Sequence, residues 1–572
     1  MAFRLLILAV LGLGLGGVCA ETVDKRFLNV PLAAEKDAEK SELNLMVDGK
    51  LVGHFSIPYA GKSPDFFGAL DLSNYQGKTL ELKDGDGKLS FSEVLLSDKV
   101  QGGDDLYDEK YRPQFHFSPR RGWLNDPNGM IYFGGKYHLF YQYNPFGVFW
   151  GNMSWGHATS TDMIHWVEEP TVLFPLPDTG MAYSGACFVD SENLMGFGTA
   201  EEPALIAFYL RTKEGLGYAY STDGGKSFTD FEGNPVLTRP EGEEVPKKGR
   251  MDTPRPILMD DGKTWIAPTY DYFFREDGLP SHCVGFYKST DLKDWSFVSR
   301  VPQDHWGDEM CGCVDFFELP VEGEDGISHW VMVFLDGSAL IGNFDGERFT
   351  ALDGSPAHVK DRARPHVEAW NFTATMTFAD EPKGRRVQMT WMNNWEKNFD
   401  MPFSQQMTLP SELTLVRDGG ELRLNYAPVR EIESLRGEKK SVEKFSLGSN
   451  KWAFPDEIGR EFEVELSFEA GGTGVLEMQF FDLPVKFDRA SNTLEMWGLK
   501  SELKPVDGRI DLRVFVDRAS IEIYAQGGQV YMPLAWPFKA EEKAVQLRSS
   551  EGEVQIERLD CYELKSIWPQ VN

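Results

Sequence analysis

Three stretches of this chain repeat one another. WGHATSTDMIHW (155–166), LGYAYSTDGGKSF (216–228) and VGFYKSTDLKDW (284–295) each carry a glycine, three residues, Ser-Thr-Asp, a short turn and then Trp or Phe. The shared glycines Gly156, Gly217 and Gly285 stand roughly sixty to seventy residues apart, and IGNFDGERF from Ile341 is a weaker echo. A strand, an STD turn and an aromatic return strand, recurring at that interval, suggest propeller blades. Each such unit cannot bury its hydrophobic face alone and must stack on its neighbours. The region 109–425 then holds about five blades. Trp166, Phe228 and Trp295 are expected to pack between blades rather than to face a ligand.

The rest of the chain is also strand-like. Runs such as KYHLFYQY, LIAFYL, HWVMVFL and IEIYAQ alternate with Gly, Asp and Asn turns, and helical periodicity is scarce. The expected class is all-β: a five-bladed β-propeller followed by a C-terminal β-sandwich and preceded by a small N-terminal β domain. Residues 21–108 form the N-terminal segment and end in the acidic loop QGGDDLYDEK. Residues 426–445 read as a charged, partly helical connector, and 446–572 return to alternating strands such as RIDLRVFVDRASIEIYA, a sandwich pattern.

Residues 1–20 have the pattern of a secretory signal peptide: Arg4, the apolar run Leu5 to Val18, and small residues up to Ala20. No later run is apolar for long enough to span a membrane, so an exported chain without a membrane span is expected, extracellular or periplasmic. A formal net charge of −31 argues against a nucleic-acid partner, which requires a basic face. Five cysteines would remain after cleavage: Cys187, Cys283, Cys311, Cys313 and Cys561. Their odd number and low density exclude a disulfide scaffold, and the single residue between Cys311 and Cys313 is a poor zinc spacing. No metal or organic cofactor is expected.

The sharpest motif is RGWLNDPNGMIYF, 121–133. Asn125-Asp126-Pro127-Asn128-Gly129 is turn chemistry, which by itself predicts a tight turn between two strands. Trp123 and the following YHLFYQYNP make that account incomplete. A carboxylate among aromatic rings and amides suits a sugar, whose rings stack and whose hydroxyls need polar partners. WLNDPNG, YQYNP (141–145) and WGNMSWGHATSTDMIHW (150–166) together resemble the fructan-cleaving glycoside hydrolases of family 32: invertases, inulinases and levanases. The resemblance continues through YSGA (183–186), WMNNW (391–395), MTLPSELTL (407–415) and VDRASIEIYAQGG (516–528), and covers nearly everything from residue 112 onward. Residues 21–108 look like the extra N-terminal β module of some bacterial members.

The resemblance implies a propeller followed by a sandwich, and a retaining mechanism with two carboxylates about 5 Å apart, too close for a water to attack directly. It makes Asp126 the nucleophile. Trp123, Asn125, Gln142, Trp150 and Ser184 match positions that line a fructose pocket, although Trp123 and Trp150 also read as plain packing. Asp252 in GRMDTPRPIL (249–258) matches the carboxylate that holds fructosyl hydroxyls. Met251 stands where the family has arginine, leaving Arg250 or Arg255 as a replacement cation. The family's acid/base is a glutamate before Cys-x-Asp-Phe-Phe. Aligning Cys313, Asp315, Phe316 and Phe317 puts Gly312 at that position. Glu309 is the nearest upstream acid, but on a regular strand an odd offset turns it to the opposite face, roughly 10 Å along, unless a bulge intervenes. Asp315 is then a sugar-hydroxyl or structural partner. Ser411 also replaces a usual arginine, and RPHVEAWNF (364–372) matches the family poorly.

These residues predict a secreted β-fructosidase acting on levan, inulin or sucrose-type substrates, with Asp126, Asp252 and Glu309 or an unrecognised acid as its catalytic groups. A fructan-binding or sensing protein impaired by Gly312 is the alternative of another class. A hydrolase of a different furanoside, such as arabinan, fits the propeller but fits WLNDPNG less well. The sequons Asn152-Met153-Ser154 and Asn371-Phe372-Thr373 matter only in a glycosylating host.

Overall fold

The computed structural model describes residues 18–238, 249–274, 280–302, 312–352, 371–393, 400–539 and 543–569. At the N-terminal end, a four-stranded sheet (Val18–Thr22, Thr79–Asp84, Ser41–Val47, Lys50–Ile57) faces a three-stranded one (Phe66–Asp71, Phe27–Leu32, Leu95–Ser97). The alternation in Ser41–Val47 buries Leu43, Leu45 and Val47 against Leu28, Val30, Phe55 and Leu82, as a one-sided strand requires. Val18 to Thr22 pairs with Lys83 to Thr79, so the cleavage point expected after Ala20 falls inside a paired strand.

Five sheets follow, one for each expected blade. Their innermost strands are Gly122–Phe133 (blade I), Ala182–Asp190 (II), Gly249–Asp252 (III), Asp315–Pro320 (IV) and Thr373–Thr377 (V). The repeated Ser-Thr-Asp is the hinge of the blade's outer turn. In blade I, Asp162 Oδ1 accepts the amides of Ile164 and His165 at 3.0 and 2.8 Å. Asp223 accepts those of Lys226 and Ser227 at 3.1 and 3.0 Å, and Asp291 those of Lys293 and Asp294 at 2.9 Å each. In the weaker echo, Asp345 accepts Glu347 and Arg348 at 2.9 and 2.7 Å. A carboxylate two to four residues ahead of the amides satisfies donors that no strand can reach, which is why the motif recurs.

The aromatic residue after each turn reaches the preceding blade. Trp295 of blade III donates Nε1 to Tyr218 OH at 2.9 Å and stacks on Phe208, both in blade II. Phe228 of blade II meets Phe140 of blade I edge-on at 5.7 Å. Trp166 of blade I lies parallel to Phe378 of blade V at 6.3 Å, so the first blade packs on the last. Backbone hydrogen bonds seal the same seam: Phe403–Ser404 pairs in parallel with Gly122 and Trp123, and Met407 N donates to Phe117 O at 2.9 Å.

The C-terminal sandwich packs a seven-stranded sheet on a six-stranded one around Phe462, Leu466, Met478, Leu483, Val514 and Ile523. Within 426–445 lie the 3₁₀ turn Arg430–Leu435 and the strand Arg436–Val442, which pairs with Val554–Leu564. Among the described residues no helix is long and apolar enough to cross a membrane.

A buried polar network ties the sandwich to the propeller. Asp517 accepts the amides of Gln114 and Phe115 at 2.8 to 3.0 Å and binds His116 Nδ1 at 2.8 Å; the other ring nitrogen meets Glu522 at 3.0 Å. Glu522 also accepts Leu409 N, Tyr524 OH and Tyr531 OH at 2.7 to 2.8 Å, and Tyr524 OH meets Ser411 Oγ at 2.9 Å. Ser411, where the family's arginine was expected, thus joins the domain interface. Burial alone would push the His116 imidazolium down. Hydrogen bonds to Asp517 and Glu522 and their charges overcome that and lift it from 6.5 to about 9. A raised folded-state value means the stabilisation is complete below about pH 6.5 and is lost as pH climbs through about 9. Urea midpoints measured from pH 6 to 10 should therefore fall through this window for the wild type, while His116→Gln, weaker throughout, should show a shallower decline.

Candidate functional site

Each of the five inner strands has an irregularity within it or at its end. In blade I, Leu124 pairs with Tyr143 and Pro127 with Tyr141, so Asn125 and Asp126 together oppose Gln142. A second slip sets Gly129 and Met130 against Leu139. The segment expected as a turn is instead one strand, Gly122–Phe133, with two bulges. Turn residues suit both outcomes, because a bulge likewise wants a proline without an amide proton and a glycine with positive φ. Gly129 has φ 51°, and a Cβ there would stand 2.7 Å from Cys187 Sγ. In blade II, Tyr183 and Ser184 oppose Leu210 in the same way. Thr253 in blade III, Cys313 in blade IV and Ala374 in blade V have φ 49°, 50° and 60°.

These irregularities re-aim side chains onto one carboxylate. Asn125 Nδ2 donates to Asp126 Oδ1 at 3.0 Å, Ser184 Oγ donates to Oδ2 at 2.6 Å, and the Cys313 thiol lies 3.6 Å from Oδ2. Blades I, II and IV thus meet at Asp126, which remains half-buried. Behind it, Trp123 Nε1 donates to Asn125 Oδ1 at 2.8 Å, which fixes the amide so that its nitrogen faces Asp126. Trp123 is itself 1% exposed and packs edge-on to Trp391, whose Nε1 donates to Gln405 at 3.1 Å. Gln142 is buried and donates to Ala182 O at 3.0 Å, holding the start of the strand that carries Ser184. Trp150, by contrast, is 41% exposed and stands edge-on to Tyr183 at 6.2 Å.

The remaining candidates fall elsewhere. Asp252 ends the inner strand of blade III, buried, with its Oδ1 accepting Thr253 N at 2.9 Å. Asp315 is 1% exposed and forms an ion pair with Arg255 at 2.6 Å while accepting Thr377 N at 2.7 Å. Arg255 completes a three-blade clamp by donating to Thr377 O at 2.6 Å. Its guanidinium is therefore engaged with Asp315, while the Arg250 side chain lies outside the described residues. Glu309 lies outside them too. The strand of blade IV begins at Asp315, and Cys313 has positive φ. Among the described residues the regular strand thus starts only at Asp315, and the alternation rule applied to Glu309 falls outside them. Cys313 as a direct neighbour of Asp126 was missed by sequence reasoning, which weighed it only as a metal ligand and an alignment anchor. Its place beside Gly312 was the available signal. Gln405, with φ 77°, carried none.

Residues 116–425 match the "Glycosyl hydrolases family 32 N-terminal domain" and residues 431–563 the "Glycosyl hydrolases family 32 C terminal". The chain belongs to glycosyl hydrolase family 32. It is similar to a levanase of Bacillus subtilis (strain 168), 32% identical, over 81% of this chain and 72% of that protein. Similarity to an extracellular exo-inulinase of Aspergillus ficuum is 28%, over 81% and 96% of the two chains. The crystal structure of exo-inulinase from Aspergillus awamori superposes with a TM-score of 0.68 at 25% identity, over 81% of this chain and all of that one. This family 32 chain is accordingly a glycoside hydrolase of the β-fructofuranosidase type, with N-terminal sheets ahead of both matched regions.

In this family 32 enzyme the Asp126 carboxylate has donors on both oxygens, which holds its plane. A hydrogen bond to a charged group contributes about 1.5–3 kcal/mol, so Ser184→Ala should lower kcat/KM on sucrose or a fructan by about 10- to 100-fold. The thiol is a weaker donor, and Cys313→Ala should cost less than Ser184→Ala does. Steady-state kinetics beside melting curves checks both, since a loss explained by unfolding would appear in the latter.

Proposed function

We propose that this enzyme is a secreted β-fructosidase that hydrolyses fructosyl linkages in levan, inulin or related fructans with retention. The observation that carries this reading is Asp126, a half-buried carboxylate held by donors on both oxygens where three blades meet. The names of its relatives, a levanase and exo-inulinases, agree in substrate class. The signal-like N-terminus and the extra sheets favour a polymer over sucrose alone.

In the retaining reaction Asp126 attacks the anomeric carbon as the glycosidic bond breaks and a proton passes to the leaving oxygen. The covalent fructosyl–enzyme is then opened by water, whose proton goes to the group that acted as acid. Asn125 and Ser184 keep the nucleophile in one orientation, so little reorganisation is needed at the moment of attack. Asp252 is assigned to the fructosyl hydroxyls and to the charge that grows on the ring. Glu309, or another group, supplies the proton.

Gly312 favours a second reading: a fructan-binding protein on the same scaffold with little turnover. General acid catalysis contributes about 10²–10⁴-fold, chiefly to the first step, where an unprotonated alkoxide leaves poorly. An activated leaving group would bypass the deficit. Fructose release from levan, inulin, sucrose and an aryl β-fructofuranoside should be followed for wild type, Asp126→Asn, Glu309→Gln and Gly312→Glu. The hydrolase reading expects natural-substrate activity abolished by Asp126→Asn; a loss of at least about 100-fold in Glu309→Gln with the aryl substrate spared assigns the acid to Glu309, and an unchanged rate assigns it to another group. Wild type that binds fructan without release and gains turnover in Gly312→Glu would establish the binding reading instead.

A further inference from the structure

The connection between the second and third strands of blade I, residues 145–153, carries Trp150, and it does not stand alone. Phe146 is fully buried in the core of the N-terminal sheets, edge-on to Phe55 at 4.9 Å, and Phe149 packs against that same core. Asn152 is anchored from the same side. Its Oδ1 accepts Ser56 N at 2.8 Å and its Nδ2 donates to Ser56 O at 2.9 Å, so the side chain reads the edge of the strand Lys50–Ile57 as another strand would. From the propeller side, Asn144 Oδ1 accepts Asn152 Nδ2 at 3.1 Å, and Asn144 Nδ2 donates to Phe149 O at 2.9 Å. Close approach is built in: a Cβ at Gly68 would lie 2.8 Å from Pro145 O.

The loop thus has one fully buried and one partly buried aromatic anchor and a doubly bonded amide on the N-terminal sheets, with one large side chain left facing out. That side chain is Trp150, 41% exposed and edge-on to Tyr183, the neighbour of the Ser184 that holds Asp126. The loop's last residue continues the connection, since Ala182 N donates to Met153 O at 3.0 Å. Loops are ordinarily the mobile part of a scaffold, and ordering one on binding costs affinity. Here the ordering is done in advance by a unit outside both family domains.

We propose that the N-terminal sheets are part of the substrate site: through Phe146, Phe149 and Asn152 they hold the 145–153 loop so that Trp150 stands preordered as a platform for a sugar ring. The proposal rests on the reading of Asp126 as the centre of a fructosyl site. Phe149 and Asn152 are positioning residues that act through Trp150. Their removal should weaken binding while leaving bond cleavage on bound substrate alone.

The test uses the full chain carrying Asp126→Asn to stop turnover, with an inulin-type trisaccharide titrated by calorimetry. Phe149→Ala, Trp150→Ala, the pair together and Asn152→Gly are compared; glycine accepts the φ of 48° that Asn152 adopts. In active protein the same four variants are read as KM against kcat. Phe149→Ala and Asn152→Gly should each weaken binding by about 3- to 10-fold, the scale of reordering a side chain and its loop, and raise KM at nearly constant kcat. Because they act through one residue, Phe149→Ala should add little in the Trp150→Ala background. Normal binding that ignores Phe149→Ala and Asn152→Gly, or a Phe149 effect that adds in full to that of Trp150→Ala, overturns the proposal while leaving the fructosyl reading intact. A protein that neither binds the trisaccharide nor releases fructose from any substrate overturns both.

Discussion

A propeller is stable only if its ring closes, and in this protein closure is the constraint that everything else obeys. An open ring would leave the inner face of blade I and the outer face of blade V as unpaired apolar surfaces. The chain answers with Trp166 on Phe378 and with the backbone of Phe403–Ser404 beside Gly122 and Trp123. The same seam holds the site, because Trp123 sits on the strand being closed and Trp391 and Gln405 come from the closing blade. The geometry around Asp126 and ring closure are therefore one problem: displace the seam and the Trp123–Asn125–Asp126 relay moves with it.

Charge is used across the ring in the same spirit. Asp315 and Arg255 join blades III and IV and both bind Thr377 of blade V, so neither buried charge is left without a partner of opposite sign. The His116–Asp517–Glu522 network does for the two domains what the clamp does for the blades. Burial raises the stake of each bond, since an unpaired partner would keep its full desolvation penalty.

The blade repeat was legible because it has a local cause: a Ser-Thr-Asp turn satisfies its own amides and places an aromatic residue at a fixed offset. The all-β class followed from similarly local alternation, whereas Asp126, Asn125 and Ser184 came from the resemblance to the family's motifs. What was not legible depends on contacts between distant segments. Asn125 to Gly129 use the same residue types for a bulge as for a turn, and only pairing with the neighbouring strand decides between them. Arg255 was weighed as a pocket cation because nothing local announces a partner sixty residues on. The role of Cys313 depends on a backbone twist at that residue rather than on the strand pattern after it. The packing of Phe146 and Phe149 is set by a separate unit that the propeller's own pattern does not mention.

The anchoring of Asn152 also bears on how this protein can be made. Asn152-Met153-Ser154 is an acceptor sequence for N-linked glycan, and the atom that would carry the sugar is the Nδ2 that already serves Ser56 O and Asn144 Oδ1. Attaching a glycan replaces one of its two hydrogens and brings a bulky, hydrated group into a seam of main-chain contact. A eukaryotic secretory pathway that modified the nascent chain before the N-terminal sheets had docked would lock that seam open. The choice of expression host is, for this fold, a choice between two different surfaces where the N-terminal sheets meet blade I.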